Sequence, residues 1–143
     1  MEPKKVLFIC VHNSARSQMA EELLRKYAGE KVVTESAGLE PGKLNPLAVE
    51  VLKEEGIDIS AKETRSVFDL HKQGKKYNYV ITVCSKEAEE RCPIFPGASR
   101  RANWALPDPS KFEGSWTEKL EKTRAVKEEI RTRVLELLKE MEI

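Results

Sequence analysis

Two rhythms of apolar residues alternate along this chain. The stretch KKVLFIC, residues 4–10, is a nearly unbroken apolar run of strand length and predicts a buried strand. Met19, Ala20, Leu23, Leu24 and Tyr27 then recur at helical spacing until Gly29 ends the helix. KVVTESAG, residues 31–38, predicts a second strand. NPLAVEVLKEEG, residues 45–56, predicts a second helix. Asn45 is its cap, Pro46 its first residue, Leu47, Ala48, Val51 and Leu52 its apolar face, and Gly56 its end. YNYVITVC, residues 77–84, predicts a third strand, and NWALPDP, residues 103–109, a short fourth one halted by its prolines. Leu120, Ile130, Val134, Leu137, Leu138 and Met141 mark a long last helix. Strands separated by helices imply parallel pairing through right-handed crossovers. The expectation is an α/β fold: a single doubly wound domain over residues 1–143, with a four-stranded parallel sheet flanked by helices. Such sheets bind ligands at the carboxyl ends of their strands.

Length and charge narrow the partners. A chain of 143 residues buries one core and not two. Lys plus Arg number 25 against 24 Asp plus Glu, so the balance points to neither nucleic acid nor a membrane surface. The apolar run from Val6 is too short for a signal peptide core or a membrane span, and a cytoplasmic monomer is expected. The 3 cysteines form no disulfide framework. In a reducing compartment such thiols are more often buried, catalytic or redox-active than structural.

Chemistry begins at CVHNSARS, residues 10–17, where the first strand gives way to the first helix. If Val11, His12, Asn13, Ser14 and Ala15 form a tight loop, their N–H groups and those of the helix start converge on one point, a nest for an oxyanion. Arg16 would close that nest with a planar, two-pronged donor. Cysteines at helix N-termini beside cations have pKa values of roughly 3.5–7.5, so Cys10 is expected to be a thiolate at neutral pH and a nucleophile in position. Ser17 is placed to steady that thiolate and Asn13 to hold the loop's shape. The same residues would also suit a small core cysteine and a solvated arginine, but the strand-to-helix context is the one a nest requires. The rival nucleotide loop, G-x-x-x-x-G-K-[ST], is absent from the sequence.

Two further features lie downstream. CSKEAEERC carries Cys84 and Cys92 just after the third strand, at the edge of the sheet where Cys10 also lies. They could be a core residue and an incidental one. Zinc is disfavoured, because the spacing does not match its usual ligands and only His12 and His71 are at hand. A thiol pair can also supply two electrons. Asp108 stands between Pro107 and Pro109, either a surface turn or a carboxyl held rigidly as a general acid.

FICVHNSARSQMAEELL, SAGLEPGKLNPLAVEVLKEEGIDIS, VITVCSKEAEERCP and NWALPDPS together resemble the arsenate reductases built on the low-molecular-weight tyrosine phosphatase fold. The likeness runs over nearly the whole chain and its blocks stand in the family's order. It implies attack on arsenate by Cys10, with Arg16 and residues 11–17 holding the oxyanion and Asp108 protonating the departing oxygen. It further implies a thiol–disulfide relay from Cys10 to Cys84 to Cys92, re-reduced by thioredoxin and serving arsenic detoxification. Glutaredoxin- and mycothiol-linked relatives make another thiol the competing reductant. For the relay, residues 84–92 must move, and the charged SKEAEER, without apolar anchors, is expected to unwind. Some members bind potassium at positions matching Asn13, Glu21 and Ser36. Here Arg65 and Ser66 stand where the remaining acidic ligand belongs, so potassium is left doubtful and no tightly bound cofactor is expected. His12 occupies a position that is often glycine, so its backbone is expected to be left-handed or strained.

The alternative is a phosphomonoester hydrolase using Cys10, Arg16 and Asp108. Against it, Ser110, Lys111 and only then Phe112 follow Asp108-Pro109, where the phosphatases carry aromatic residues at once. A non-catalytic oxyanion-binding or thiol-sensing protein is the third possibility.

Overall fold

The structure is a computed structural model describing residues 2–143. Strands β1 (Lys4–Cys10), β2 (Val32–Gly38), β3 (Tyr79–Thr82) and β4 (Arg100–Asn103) form one parallel sheet in the order β2-β1-β3-β4. Helices α1 (Arg16–Ala28), α2 (Pro46–Lys53), α3 (Val67–Lys72), α4 (Lys86–Glu89) and α5 (Trp116–Glu140) connect and cover the strands. This is the doubly wound arrangement expected.

β1 has an almost continuous apolar run because both of its faces are covered. Val6, Phe8 and Cys10 join a cluster with Met19 and Leu23 of α1, Leu47 and Val51 of α2, and Ile130 and Val134 of α5. Leu7 and Ile9 face the other way, onto Val67 and Leu70 of α3 together with Tyr77 and Phe95. Burying each such side chain contributes about 1.5–3 kcal/mol. Chain order leaves β1 first toward β2 and then, across it, toward β3. The topological switch point therefore lies between β1 and β3, and both strands end there.

Asn45 caps α2 through Leu47 N–H, with Pro46 in the first turn as expected. A capping box of Ser115 and Glu118 opens α5. Three expectations need correction. The fourth strand is Arg100–Asn103 and not residues 103–109. Only the Trp104 N–H still reaches the sheet, at 2.7 Å from the Thr82 oxygen, before Pro107 and Pro109 remove donors. Charged, half-exposed edge strands such as RRAN lack the apolar signal that marks inner ones. The third strand is shorter than residues 77–84, its ladder covering Tyr79–Thr82. Finally, SKEAEER is not without anchors: its α4 is one turn capped by Ser85, and Ala88 packs on both clusters. α3, capped by Ser66, was not expected from the pattern at all.

Candidate active site

Between the end of β1 and the start of α1 the chain wraps around the Cys10 sulfur. The carbonyls of Cys10, Val11, His12 and Ser14 accept hydrogen bonds from Leu39, Glu40, Gly42 and Asn45, so the segment after β2 takes up the outer side of the loop. The amide side is left for the interior, and the Asn13 N–H donates to Cys10 Sγ at 3.0 Å. No side chain caps α1 and no acidic residue stands in its first turn, so its positive end opens toward the same point.

Asn13 organises this turn. Its φ is +54°, while His12 is not left-handed, which corrects the expectation about His12: the short polar Asn side chain tolerates that conformation and bonds locally. Its Nδ2 donates to Ser17 Oγ at 2.8 Å and Ser36 Oγ at 2.9 Å, which uses both amide hydrogens. Ser36 in turn donates to Glu21 Oε1 at 2.5 Å. With its oxygen already accepting, Ser17 has its hydroxyl hydrogen available for Cys10 Sγ, 2.8 Å away. The buried sulfur thus has two hydrogen-bond partners, the Asn13 N–H and the Ser17 hydroxyl. His12 stays at the rim, where Nδ1 meets the Glu40 carbonyl at 2.9 Å.

Arg16 is 7% exposed and spans the gap between strands. Nη1 reaches the carbonyls of Val83 at 3.4 Å and Leu106 at 3.3 Å, and Nη2 lies 3.5 Å from Asp108 Oδ2. Asp108 caps a 3-10 turn, accepting from the Ser110 N–H at 2.9 Å and hydroxyl at 2.8 Å. Burial pushes its carboxyl up, but the Ser110 bonds and the Arg16 and Lys111 charges outweigh this and hold it below the ordinary range.

Cys84 joins the same site. Val83 N–H extends the β1–β3 pairing to Ile9, at 2.8 Å, and the buried Cys84 follows in the cluster that holds Cys10. Burial raises its thiol pKa, and the Cys10 charge adds to that. Cys92 is half-buried behind α4, its pKa pushed up to about 12 by burial and then by Cys84 and Glu89. All three cysteines are unbridged.

Asn13, Glu21 and Ser36 do meet, yet their oxygens are engaged by the chain's own donors. Glu21 Oε2 takes Arg25 Nη2 at 2.7 Å and Lys62 Nζ at 2.9 Å, and Asn13 Oδ1 takes the Arg65 N–H at 2.9 Å. A potassium ion needs those lone pairs, so the residues do not fit it. Among the described residues no group of three or more His, Cys, Asp or Glu is arranged to hold a metal.

Some contributors left little trace in the sequence. Gly38 at the end of β2 presses on the Cys10 loop, Gln18 Nε2 bonds the Asn13 carbonyl at 3.0 Å, and Lys62 neutralises Glu21. A glycine ending a strand hints at close backbone approach; the other two have no local signature. Nor is the mouth devoid of aromatic residues: Phe112 and Trp116 line a groove of about 510 Å³ with His12, Ser14, Pro109 and Lys119.

Residues 5–142 match the model of the low molecular weight phosphotyrosine protein phosphatase family. The chain is 39% identical over 137 residues to an arsenate reductase of Bacillus licheniformis, covering 94% of each. Among solved structures it resembles the thioredoxin-dependent arsenate reductase of Corynebacterium glutamicum, with 35% identity, a TM-score of 0.74 and 98% of this chain covered; it spans 62% of that protein's length. An arsenate reductase in the phosphate-binding state matches at 30% identity and a TM-score of 0.78, over 96% of this chain and 98% of the other. A family match over residues 5–142, with arsenate reductases this similar over this much of their length, places the chain in the low molecular weight phosphotyrosine protein phosphatase family, on the side of its arsenate reductases.

Proposed function

We propose that this protein is an arsenate reductase that converts arsenate to arsenite by a three-cysteine relay and is re-reduced by thioredoxin. The observation carrying this reading is the succession of thiols: Cys10 in the loop, Cys84 in the same core cluster at the end of β3, and Cys92 one helical turn further on. Phosphoryl transfer would need only the first.

Arsenate binds where the loop amides and Arg16 converge, and Arg16 turns from Asp108 to the oxyanion. The low pKa of Asp108 leaves it ionised at neutral pH, so its catalytic proton arrives with the incoming dihydrogen arsenate, whose other proton stays on the departing oxygen. The Cys10 thiolate forms a bond to arsenic, and Asp108 returns the proton to the departing oxygen, which leaves as water. The Cys84 sulfur then attacks Cys10 Sγ. The sulfur–arsenic bond breaks toward arsenic, As(V) becomes As(III), arsenite departs and a Cys10–Cys84 disulfide remains. Cys92 attacks Cys84, releasing the Cys10 thiolate and leaving a Cys84–Cys92 disulfide, which thioredoxin's dithiol reduces. No helix among the described residues is long and apolar enough to cross a membrane, and the protein is proposed to act in the cytoplasm as a monomer.

The test combines arsenate, thioredoxin, thioredoxin reductase and NADPH. NADPH oxidation that requires both arsenate and thioredoxin supports this function, and its absence rejects it. Oxidation with glutaredoxin alone would replace the reductant. A second reading, phosphomonoester hydrolysis at the same loop, is favoured by the aromatic groove of Phe112 and Trp116; an aryl phosphate run in parallel with no phosphate released rejects it.

A further inference from the structure

The relay asks Cys92 to leave its half-buried place, so whatever holds α4 to the sheet controls its availability. α4 is a single turn, too short to be stable by its own hydrogen bonds. Its polar attachments are few. Arg91 pairs with Glu40 at 3.0 Å, but both side chains are more than half exposed and such a pair adds little. Glu89 is different. Its Oε2 accepts from the hydroxyl of Thr82, buried in β3, and from Asn103 Nδ2 of β4 at 3.0 Å. The same Asn103 amide reaches Thr82 Oγ1 at 2.8 Å and the Cys84 carbonyl at 3.2 Å.

One carboxylate oxygen therefore ties α4 to two strands and, through Asn103, to the backbone of Cys84. These are charge-assisted bonds, roughly twice as strong as neutral ones. Cys92 follows three residues after Glu89, its N–H bonded to the Glu89 carbonyl at 3.0 Å, so holding Glu89 keeps Cys92 close to its folded place. A groove of about 430 Å³, lined by Thr82, Glu89, Cys92, Ile94, Arg101 and Asn103, runs alongside.

We infer that Glu89 is a latch: a positioning residue that docks α4 on Thr82 and Asn103 and sets how often the Cys92 segment opens. Glu89 touches neither substrate nor reacting sulfur. The latch gains its catalytic meaning from the relay proposed above, but opening is measurable without arsenate or reductant, so the two ideas fail separately.

The experiment is peptide-resolved amide hydrogen exchange on the full reduced chain, with melting temperature recorded for each variant. Glu89→Ala should speed exchange of residues 86–92 by about tenfold or more, with β1 and α5 unchanged. Thr82→Val deletes the hydroxyl from the sheet side and should give a similar local gain, and the double variant should add little to either. Glu89→Gln keeps a neutral acceptor oxygen but loses the charge that strengthens both bonds, and should fall between wild type and Glu89→Ala. That order separates a latch from a mere change of charge beside Cys92, for which Gln and Ala would be equal. Arg91→Ala should change exchange less than about twofold. Exchange in Glu89→Ala and Thr82→Val within twofold of wild type overturns the latch. So does faster exchange spread over the whole sheet, and so does equality of the Gln and Ala variants.

Discussion

A Cβ placed on Gly38 would stand 2.7 Å from the backbone nitrogen of Asn13 and 2.8 Å from the Val11 carbonyl oxygen. The end of β2 thus bears directly on the loop around Cys10, and the atoms it meets are backbone, which cannot swing aside. Gly38→Ala should destabilise the fold by about 1–3 kcal/mol. It should also displace the Asn13 N–H from Cys10 Sγ and lower kcat/KM for arsenate by roughly a hundredfold. Thermal denaturation and steady-state assay check both; an alanine variant with wild-type kinetics would show that the loop does not depend on this contact.

The three thiols should separate kinetically. Cys10→Ser abolishes all reaction, whereas Cys84→Ser and Cys92→Ser each abolish repeated turnover with thioredoxin and leave a single slow attack by Cys10. Quenched single-turnover measurement should find one equivalent of arsenite from Cys92→Ser and none from Cys84→Ser, whose attack stops at the Cys10–arsenic adduct. Full steady-state activity in Cys92→Ser would sink the relay.

Glu21 is buried with a side chain only 3% exposed, and Lys62 and Arg25 supply its positive partners. Lys62→Met leaves Arg25 alone to balance it and should cost about 2 kcal/mol by denaturant titration. Because the oxygens of Asn13, Ser36 and Glu21 are engaged within the chain, exchanging KCl for NaCl at constant ionic strength should leave kcat and KM unchanged. Clear stimulation by potassium would mean that the ion displaces these donors.

Glu55, just beyond α2, is bonded by Arg131 of α5 and by Lys26 of α1 at 2.7 Å and Lys127 of α5 at 3.0 Å. The Arg131 bond, opposed by burial and then joined by the two lysines, lowers its pKa to about 2. The unfolded value is about 4.3. A carboxyl depressed on folding stabilises the protein above its unfolded pKa, and that contribution is lost as pH falls through the folded one. Glu55→Gln should therefore melt below wild type at pH 7, and the gap should close between about pH 4.3 and pH 2. A gap that persists undiminished at the acid end would assign the effect to packing.

How much of this was readable along the chain follows from where the information sits. Residues 10–17 are contiguous, so their strand-to-helix context and Asn45–Pro46 capping could be read locally. The approach of Cys84 to Cys10 followed from topology, since parallel strands end at one edge. The fourth strand was misplaced because Arg100 and Arg101 lie on an exposed edge, where hydropathy is silent. Asn13, with its tolerance of positive φ, was the better candidate than His12 for the left-handed position, and its residue type alone could have said so. Lys62 on Glu21 and Glu89 on Asn103 pair residues distant in sequence, and one chain without partners carries no sign of such meetings.

The raised pKa values of Cys84 and Cys92 have a consequence for survival in oxidising conditions. Peroxides and stray disulfides react with thiolates, and a sulfur that keeps its proton is a poor target. The two downstream cysteines are therefore poor targets for such oxidants while the segment stays folded.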